Sequence, residues 1–168
     1  MTEPKIYWVE ASLPGRLAVI SRPRMAGHFL ALKSAGVDVV VSMLEPAEAY
    51  DVGLSEEAAW CRSAGIEFVS LPVTDHGIPG TFEEVEDVVA VLAGHLRCGR
   101  GVAAHCFAGL GRSPLLVASV LIHHGWSDAE AVDAVSVARG SLVPEMDAQH
   151  RWLLDLAIRR GERGATAQ

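Results

Sequence analysis

The chain has 168 residues, enough for about one domain of ordinary size. Half of the residues are hydrophobic, 21% are charged and 6% are aromatic, a composition that builds a full core and excludes a chain disordered throughout. Fourteen Lys and Arg against 21 Asp and Glu leave a net charge of −7, which argues against a nucleic-acid binder working through a broad basic face.

Other function classes fall away as quickly. The best apolar run, Pro114 to Ile122, contains Ser119 and is far shorter than the ~20 residues that span a bilayer. The first residues, Met1-Thr2-Glu3-Pro4-Lys5, lack the hydrophobic stretch of a signal segment. Cys61, Cys98 and Cys106 are too few and too scattered for a disulfide framework. A soluble, cytoplasmic protein is expected, with neither a membrane nor a nucleic acid as partner.

In chain order, the first two elements are strands at 6–9 and 17–20, short apolar runs bounded by Gly, Pro or charge. A helix at 25–35, a strand at 37–44, a helix at 55–63 and a strand at 66–71 follow. Thr81-Phe82-Glu83-Glu84 has the form of a capping box, with Val85, Val88, Val89, Leu92 and Leu96 at helical spacing behind it. A strand at 101–105 leads to a helix at 114–123, and Ser127-Asp128-Ala129-Glu130 opens another helix through a second capping box. The last helix is expected at 146–159, and 161–168 reads as a frayed tail. Strands that are apolar on both faces and alternate with helices predict one α/β domain over residues 1–160. Its core would be a mostly parallel sheet of about five strands covered by helices.

The chemistry concentrates in Gly101-Val102-Ala103-Ala104-His105-Cys106-Phe107-Ala108-Gly109-Leu110-Gly111-Arg112-Ser113-Pro114. A buried strand ends at His105, and Ser113 as N-cap with Pro114 at the first helical position would start the next helix. The free N–H groups of the intervening loop and the positive end of the helix converge on one spot, which binds anions. Cys106 opens the loop where such surroundings favour the thiolate. Arg112 closes it with a planar fork suited to two phosphate oxygens. Gly109 and Gly111 would supply positive φ and close approach. A lone Cys after a strand is more often a buried hydrophobe, and a Gly-x-Gly turn can hold a dinucleotide, but the third glycine of that fingerprint is absent here.

His105-Cys106-Phe107-Ala108-Gly109-Leu110-Gly111-Arg112-Ser113 resembles the His-Cys-x5-Arg-Ser/Thr signature of the cysteine-dependent protein tyrosine phosphatases. The chain is most similar to their compact dual-specificity branch, over residues 5 to 160. The resemblance implies that Cys106 is the nucleophile and Arg112 the phosphate clamp. Phe107, Ala108, Gly109, Leu110 and Gly111 would form the cradle together with Arg112, Ser113 would ease departure of the thiolate, and His105 would hold the loop. Pro114 departs from the pattern, which often has Gly there, with little expected effect, since an N–H at this point is an orphan anyway.

A phosphate monoester also needs a general acid for its leaving group. Asp75, in Leu71-Pro72-Val73-Thr74-Asp75-His76-Gly77, follows a strand on a loop like the one where this family places its acid. Gln149 has two readings, a residue that orients the hydrolytic water or a solvated helix position. Arg139 has two as well, a substrate contact or a cap on the carboxyl end of its helix. Cys61 and Cys98 read first as structural residues; either could alternatively pair with Cys106, Cys61 being the better placed. The expected activity is a cofactor- and metal-independent phosphatase acting on phosphotyrosine in a protein or peptide, with phosphoserine and phosphothreonine as further candidates. A Cys-x5-Arg sulfurtransferase and a non-catalytic phosphoresidue-binding module are the alternatives. With no lysine between Cys106 and Arg112, phosphoinositides and RNA are expected to be poorer substrates.

Overall fold

The structure is a computed structural model that describes residues 2–166. Five strands form the sheet: β1 (Ile6–Trp8), β2 (Arg16–Ile20), β3 (Val39–Ser42), β4 (Glu67–Ser70) and β5 (Gly101–His105). Their order across the sheet is β1-β2-β5-β3-β4, with β1 antiparallel to β2 and every other pair parallel. Seven helices accompany them: α1 (Ala26–Ser34), α2 (Pro46–Asp51), α3 (Glu57–Ser63), α4 (Phe82–Arg97), α5 (Arg112–His123), α6 (Asp128–Arg139) and α7 (Asp147–Thr166).

The alternation of strand side chains explains why both faces are covered. Leu17 and Val19 of β2, Val39 and Val41 of β3, and Val102 and Ala104 of β5 join the core formed with α4, α5, α6 and α7. Ala18, Ile20, Val40 and Ala103, one residue out of step, pack against Phe29, Leu32 and Cys61 of α1 and α3. Every residue of α5 from Arg112 to Ile122 is buried, so the helix that follows the candidate loop runs through the middle of the larger core. Because β2, β3, β4 and β5 are parallel, the loops after β3, β4 and β5 all emerge at one edge. That edge carries the site.

The structure corrects several expectations. α5 starts at Arg112 with Gly111 as its N-cap and no side-chain cap, so Ser113 and Pro114 lie inside the first turn and the Ser113 hydroxyl is free for other contacts. The short α2 was not anticipated; it has no buried residue, hence no apolar stripe, but Glu45 and Glu48 form a capping box around Pro46. Of the two anticipated boxes, Ser127 and Glu130 close theirs, whereas Thr81 makes only the half in which its side chain accepts from the Glu84 N–H. The segment from Gly161 onward, read as a tail, instead continues α7 to Thr166; Ala167 and Gln168 fall outside the described residues. Ion pairs hold this last stretch, with Arg159 on Glu83 and Arg163 Nη1 at 2.9 Å from Glu86 Oε2, both on α4.

Candidate active site

The loop between β5 and α5 is tied down from outside. Arg139 Nε donates to the Gly109 carbonyl at 3.0 Å, Arg139 Nη2 to the Ala108 carbonyl at 3.4 Å, and the Glu145 N–H to the Leu110 carbonyl at 2.9 Å. In a trans peptide the C=O and the following N–H point in opposite directions. Engaging those three carbonyls on the outside therefore turns the Gly109, Leu110 and Gly111 N–H groups toward the interior of the loop. The Arg112 and Ser113 N–H groups at the start of α5 add to them. Arg139 is the last residue of α6, where the helix-end reading put it, and its guanidinium also positions the loop and stacks on Tyr7 at 4.4 Å.

Gly109 has φ 71°, as anticipated, but Gly111 has φ −125° and does not need glycine for its backbone. Space is its requirement, since a Cβ there would sit 2.9 Å from Gln149 Nε2. Gln149 is fully buried, which removes the solvated reading. Its Nε2 donates to the Gly77 carbonyl at 3.0 Å and its Oε1 accepts from the Met146 N–H at 3.3 Å. The residue thus bridges the loop after β4 and the loop after β5.

Cys106 Sγ lies 3.2 Å from Ser113 Oγ, and both residues are buried. His105, also buried, sets Nε2 at 2.6 Å from Glu57 Oε1 and Nδ1 at 3.3 Å from the Cys106 carbonyl oxygen. It anchors the end of β5 to α3 through a carboxylate that the sequence did not single out. Arg112 is 2% exposed and almost fully occupied. Its guanidinium donates to both Glu48 carboxylate oxygens at 2.8 Å, to the Val73 carbonyl at 2.8 Å and to the Met43 carbonyl at 3.3 Å, and Nη2 stands 3.1 Å from Asp75 Oδ1. Hydrogen bonding to Arg112 holds the Glu48 carboxyl below its ordinary range. Glu48 and Glu57 were missed for the same reason: each is a single carboxylate brought in by strand order from far along the chain. Only the Glu45-Pro46-Ala47-Glu48 capping pattern was there to be read.

Asp75 occupies the turn after β4, its side chain 53% exposed. Its Oδ1 accepts from the His76 N–H at 3.0 Å, and His76 takes φ 60° to make that turn. Cys106 thus meets Ser113 and Asp75 meets Arg112 at the head of α5, with Phe107, next to Cys106 in the chain, 49% exposed. Cys61 belongs to the core on the other face of the sheet, beside Phe29 and Leu32, and does not approach Cys106. Burial, reinforced by Glu57, pushes its thiol up to about 12. Among the described residues no group of three or more His, Cys, Asp and Glu side chains is placed to hold a metal, and no helix is long and apolar enough to cross a membrane.

A doubly covered sheet with a Cys-x5-Arg loop leading into a buried helix defines the cysteine-dependent class of protein-tyrosine and dual-specificity phosphatases. Within it, residues 16–126 match the family described as "Polymorphic toxin system, DSP-PTPase phosphatase", and the chain belongs to that family. Protein tyrosine phosphatase type IVA 3 of Bos taurus is 34% identical over 111 residues, which cover 64% of this chain and 58% of the relative. The chain spans about half the length of the curated relatives it matches. Kinase associated phosphatase, solved with its catalytic-site cysteine replaced by serine, superposes with a TM-score of 0.87 at 21% identity, covering 95% of this chain and 97% of that one. PTPMT1, solved in complex with PI(5)P, superposes with a TM-score of 0.77 at 23% identity, covering 94% and 99%. At those identities the two structures establish the fold alone.

Proposed function

We propose that the protein hydrolyses phosphotyrosine in peptides or proteins through a cysteinyl-phosphate intermediate. In the first step Cys106 Sγ attacks phosphorus, the S–P bond forms and the bond to the phenolic oxygen breaks. Asp75 gives that oxygen its proton. In the second step water attacks phosphorus and loses a proton to Asp75, the S–P bond breaks, and inorganic phosphate leaves. Ser113 donates a hydrogen bond to the departing thiolate. The inward N–H groups and Arg112 hold the equatorial oxygens throughout, and Arg112 exchanges Asp75 for the phosphate when substrate enters.

The observation that carries this reading is the convergence of Cys106, Ser113 and Arg112 on one loop with Asp75 3.1 Å from the guanidinium. A sulfurtransferase has no use for a proton donor across the pocket, and a binding module none for a sulfur held against a hydroxyl. The half-exposed Phe107 and the partly buried Leu110 give an aryl group apolar surface at the rim, which favours tyrosine over serine.

Initial rates on a phosphotyrosine peptide and a phosphoserine peptide, with Cys106→Ser as the blank, test the proposal. The wild type turns over the first faster, and Cys106→Ser turns over neither while still binding the peptide, because a serine hydroxyl is not ionised by this loop. Rates persist in EDTA, since the positive charge at the phosphate comes from N–H groups and Arg112. Turnover near wild type in Cys106→Ser, or its loss to chelator, would overturn the mechanism.

A further inference from the structure

The turn after β4 holds a residue that its backbone conformation does not ask for. The Gly77 N–H donates to the Thr74 carbonyl at 2.8 Å, closing a four-residue turn over Thr74, Asp75, His76 and Gly77. His76, the third of them, takes φ 60°, a place that turns with such a φ ordinarily give to glycine or asparagine. A β-carbon there costs free energy. The turn's own glycine stands one position later, where a Cβ would meet the Thr74 carbonyl oxygen at 2.8 Å. Packing does not account for the histidine either, since its side chain is 60% exposed.

What the imidazole does have is a carboxylate oxygen facing each ring nitrogen. Nε2 stands 3.4 Å from Asp75 Oδ2, and Nδ1 stands 3.6 Å from Glu145 Oε1. The His76 N–H adds a hydrogen bond to Asp75 Oδ1 at 3.0 Å. The same Oδ1 stands 3.1 Å from Arg112 Nη2, but a bound phosphate competes for that fork. Once the phosphate has taken it, the partners left to the Asp75 carboxyl among the described residues are the amide and the ring of His76. Glu145 in turn is tied to the cradle, because its own N–H donates to the Leu110 carbonyl at 2.9 Å. The succession Asp75, His76, Glu145, Leu110 therefore links the carboxyl to the phosphate loop by a route that does not pass through Arg112.

We propose that His76 is a positioning residue for the general acid. It holds the Asp75 carboxyl in place while Arg112 is engaged by the phosphate, and Glu145 braces its ring. The inference rests on the phosphatase reading above, with Asp75 as the acid, and supplies the residue that keeps that acid aimed. The proton still passes from Asp75 to the leaving oxygen, and His76 neither gives nor takes it. A carboxyl that drifts from its position costs most where the leaving oxygen is most basic, since that oxygen depends most on the proton. The signature of the role is therefore a loss that grows with leaving-group basicity.

The test uses His76→Gly, because glycine suits φ 60° and relieves the turn. Its Tm should equal or exceed that of wild type. Its kcat should fall about tenfold on phenyl phosphate and only about twofold on 2,4-dinitrophenyl phosphate, whose leaving group needs little protonation, with KM nearly unchanged on both. Glu145→Gln should lower kcat on phenyl phosphate by about threefold, and the double variant should be no slower than His76→Gly alone. Equal losses on the two substrates, or a fall in Tm that accompanies them, would make His76 a merely structural residue and overturn the proposal. Losses that add in the double variant would overturn the brace through Glu145. A wild-type rate on phenyl phosphate in His76→Gly, with Asp75→Asn still discriminating between the substrates, overturns this inference and spares the phosphatase. Failure of the wild type to hydrolyse either substrate, or an Asp75→Asn that does not discriminate, overturns the reading beneath it and this inference as well.

Discussion

The two walls of the pocket are held in different ways. Cys106, Arg112 and Ser113 are 3%, 2% and 0% exposed and sit at the head of a helix buried from Arg112 to Ile122. Across from them, the side chains of Asp75 and His76 are 53% and 60% exposed, on a turn joined to the rest by the Gln149 bond to Gly77, the pair with Arg112 and a 3.6 Å approach of His76 to Glu145. The wall of the proposed nucleophile is thus positioned by the core, and that of the proposed acid by a handful of polar contacts. A cradle for a transition state must not reorganise, whereas an acid that first donates and then accepts a proton has to admit substrate and water between the steps.

The largest test of that contrast removes the proposed acid and leaves Cys106, Ser113 and the loop amides in place. Asp75→Asn is expected to slow aryl and alkyl phosphates by roughly 10²–10⁴-fold, with far smaller losses on substrates whose leaving groups need no proton. Stability should barely move, because the side chain is half in solvent. Equal losses on good and poor leaving groups would assign the acid to another residue.

Glu48→Gln probes the cradle from behind. Arg112 would keep its carbonyl partners but lose the bidentate carboxylate that fixes the plane of its fork. We expect about 1–3 kcal/mol of lost stability and a KM raised by about tenfold with a smaller change in kcat. An unchanged KM in a folded variant would mean that the carbonyls alone orient the guanidinium.

The joint between the walls is testable with a pair of substitutions. Gly111→Ala places a Cβ against the end of Gln149, and Gln149→Ala removes the bond to Gly77. Each should lower kcat/KM by about fivefold, a loss of about 1 kcal/mol. In the double variant the overlap no longer exists, so the two losses should not add. Additive losses would show that Gly111 acts through something other than Gln149.

What could be read in the sequence follows the same division. The nucleophile's wall is one contiguous segment, so Cys106, Arg112 and Ser113 were legible together, as was the strand–loop–helix that presents them. Asp75 was legible through its place on a loop after a strand, a weaker signal that depends on the parallel sheet. The residues that hold the site were not: Glu48 and Glu57 are isolated polar positions whose meaning arises only when β3 and β5 are laid side by side. The helix start was misplaced because Ser-Pro is a strong local signal, and here the inward-facing amides at Gly111 and Arg112 overrode it. α2 escaped because a six-residue helix with no buried side chain carries no apolar period.

The smallest expected effect lies at the opposite edge of the sheet, where Asp38 does for the N-terminal end of β5 what Glu57 does for the other end. Its Oδ1 accepts from Lys33 Nζ at 2.7 Å and its Oδ2 from the Gly101 N–H at 2.9 Å. These bonds, the lysine's first and the amide's second, hold the Asp38 carboxyl below its ordinary range against the opposing pull of partial burial. A carboxyl depressed in the folded state binds fewer protons there than in the unfolded chain, so its contribution is fully present above the unfolded pKa of about 4 and disappears as pH falls through the folded value. Asp38→Asn should therefore lower stability to urea by about 1 kcal/mol at pH 7, a figure kept small because the Lys33 and Asp38 side chains are both part-exposed. The gap to wild type should shrink toward pH 3. Phosphatase rates at pH 7 should not change, since Asp38 and Gly101 stand a full strand away from Cys106. A stability gap of the same size at both pH values would show that the Asn side chain disturbs the strand by its shape and that the charge on Asp38 contributes nothing, and a fall in kcat/KM would show that the two edges of the sheet are coupled through β5.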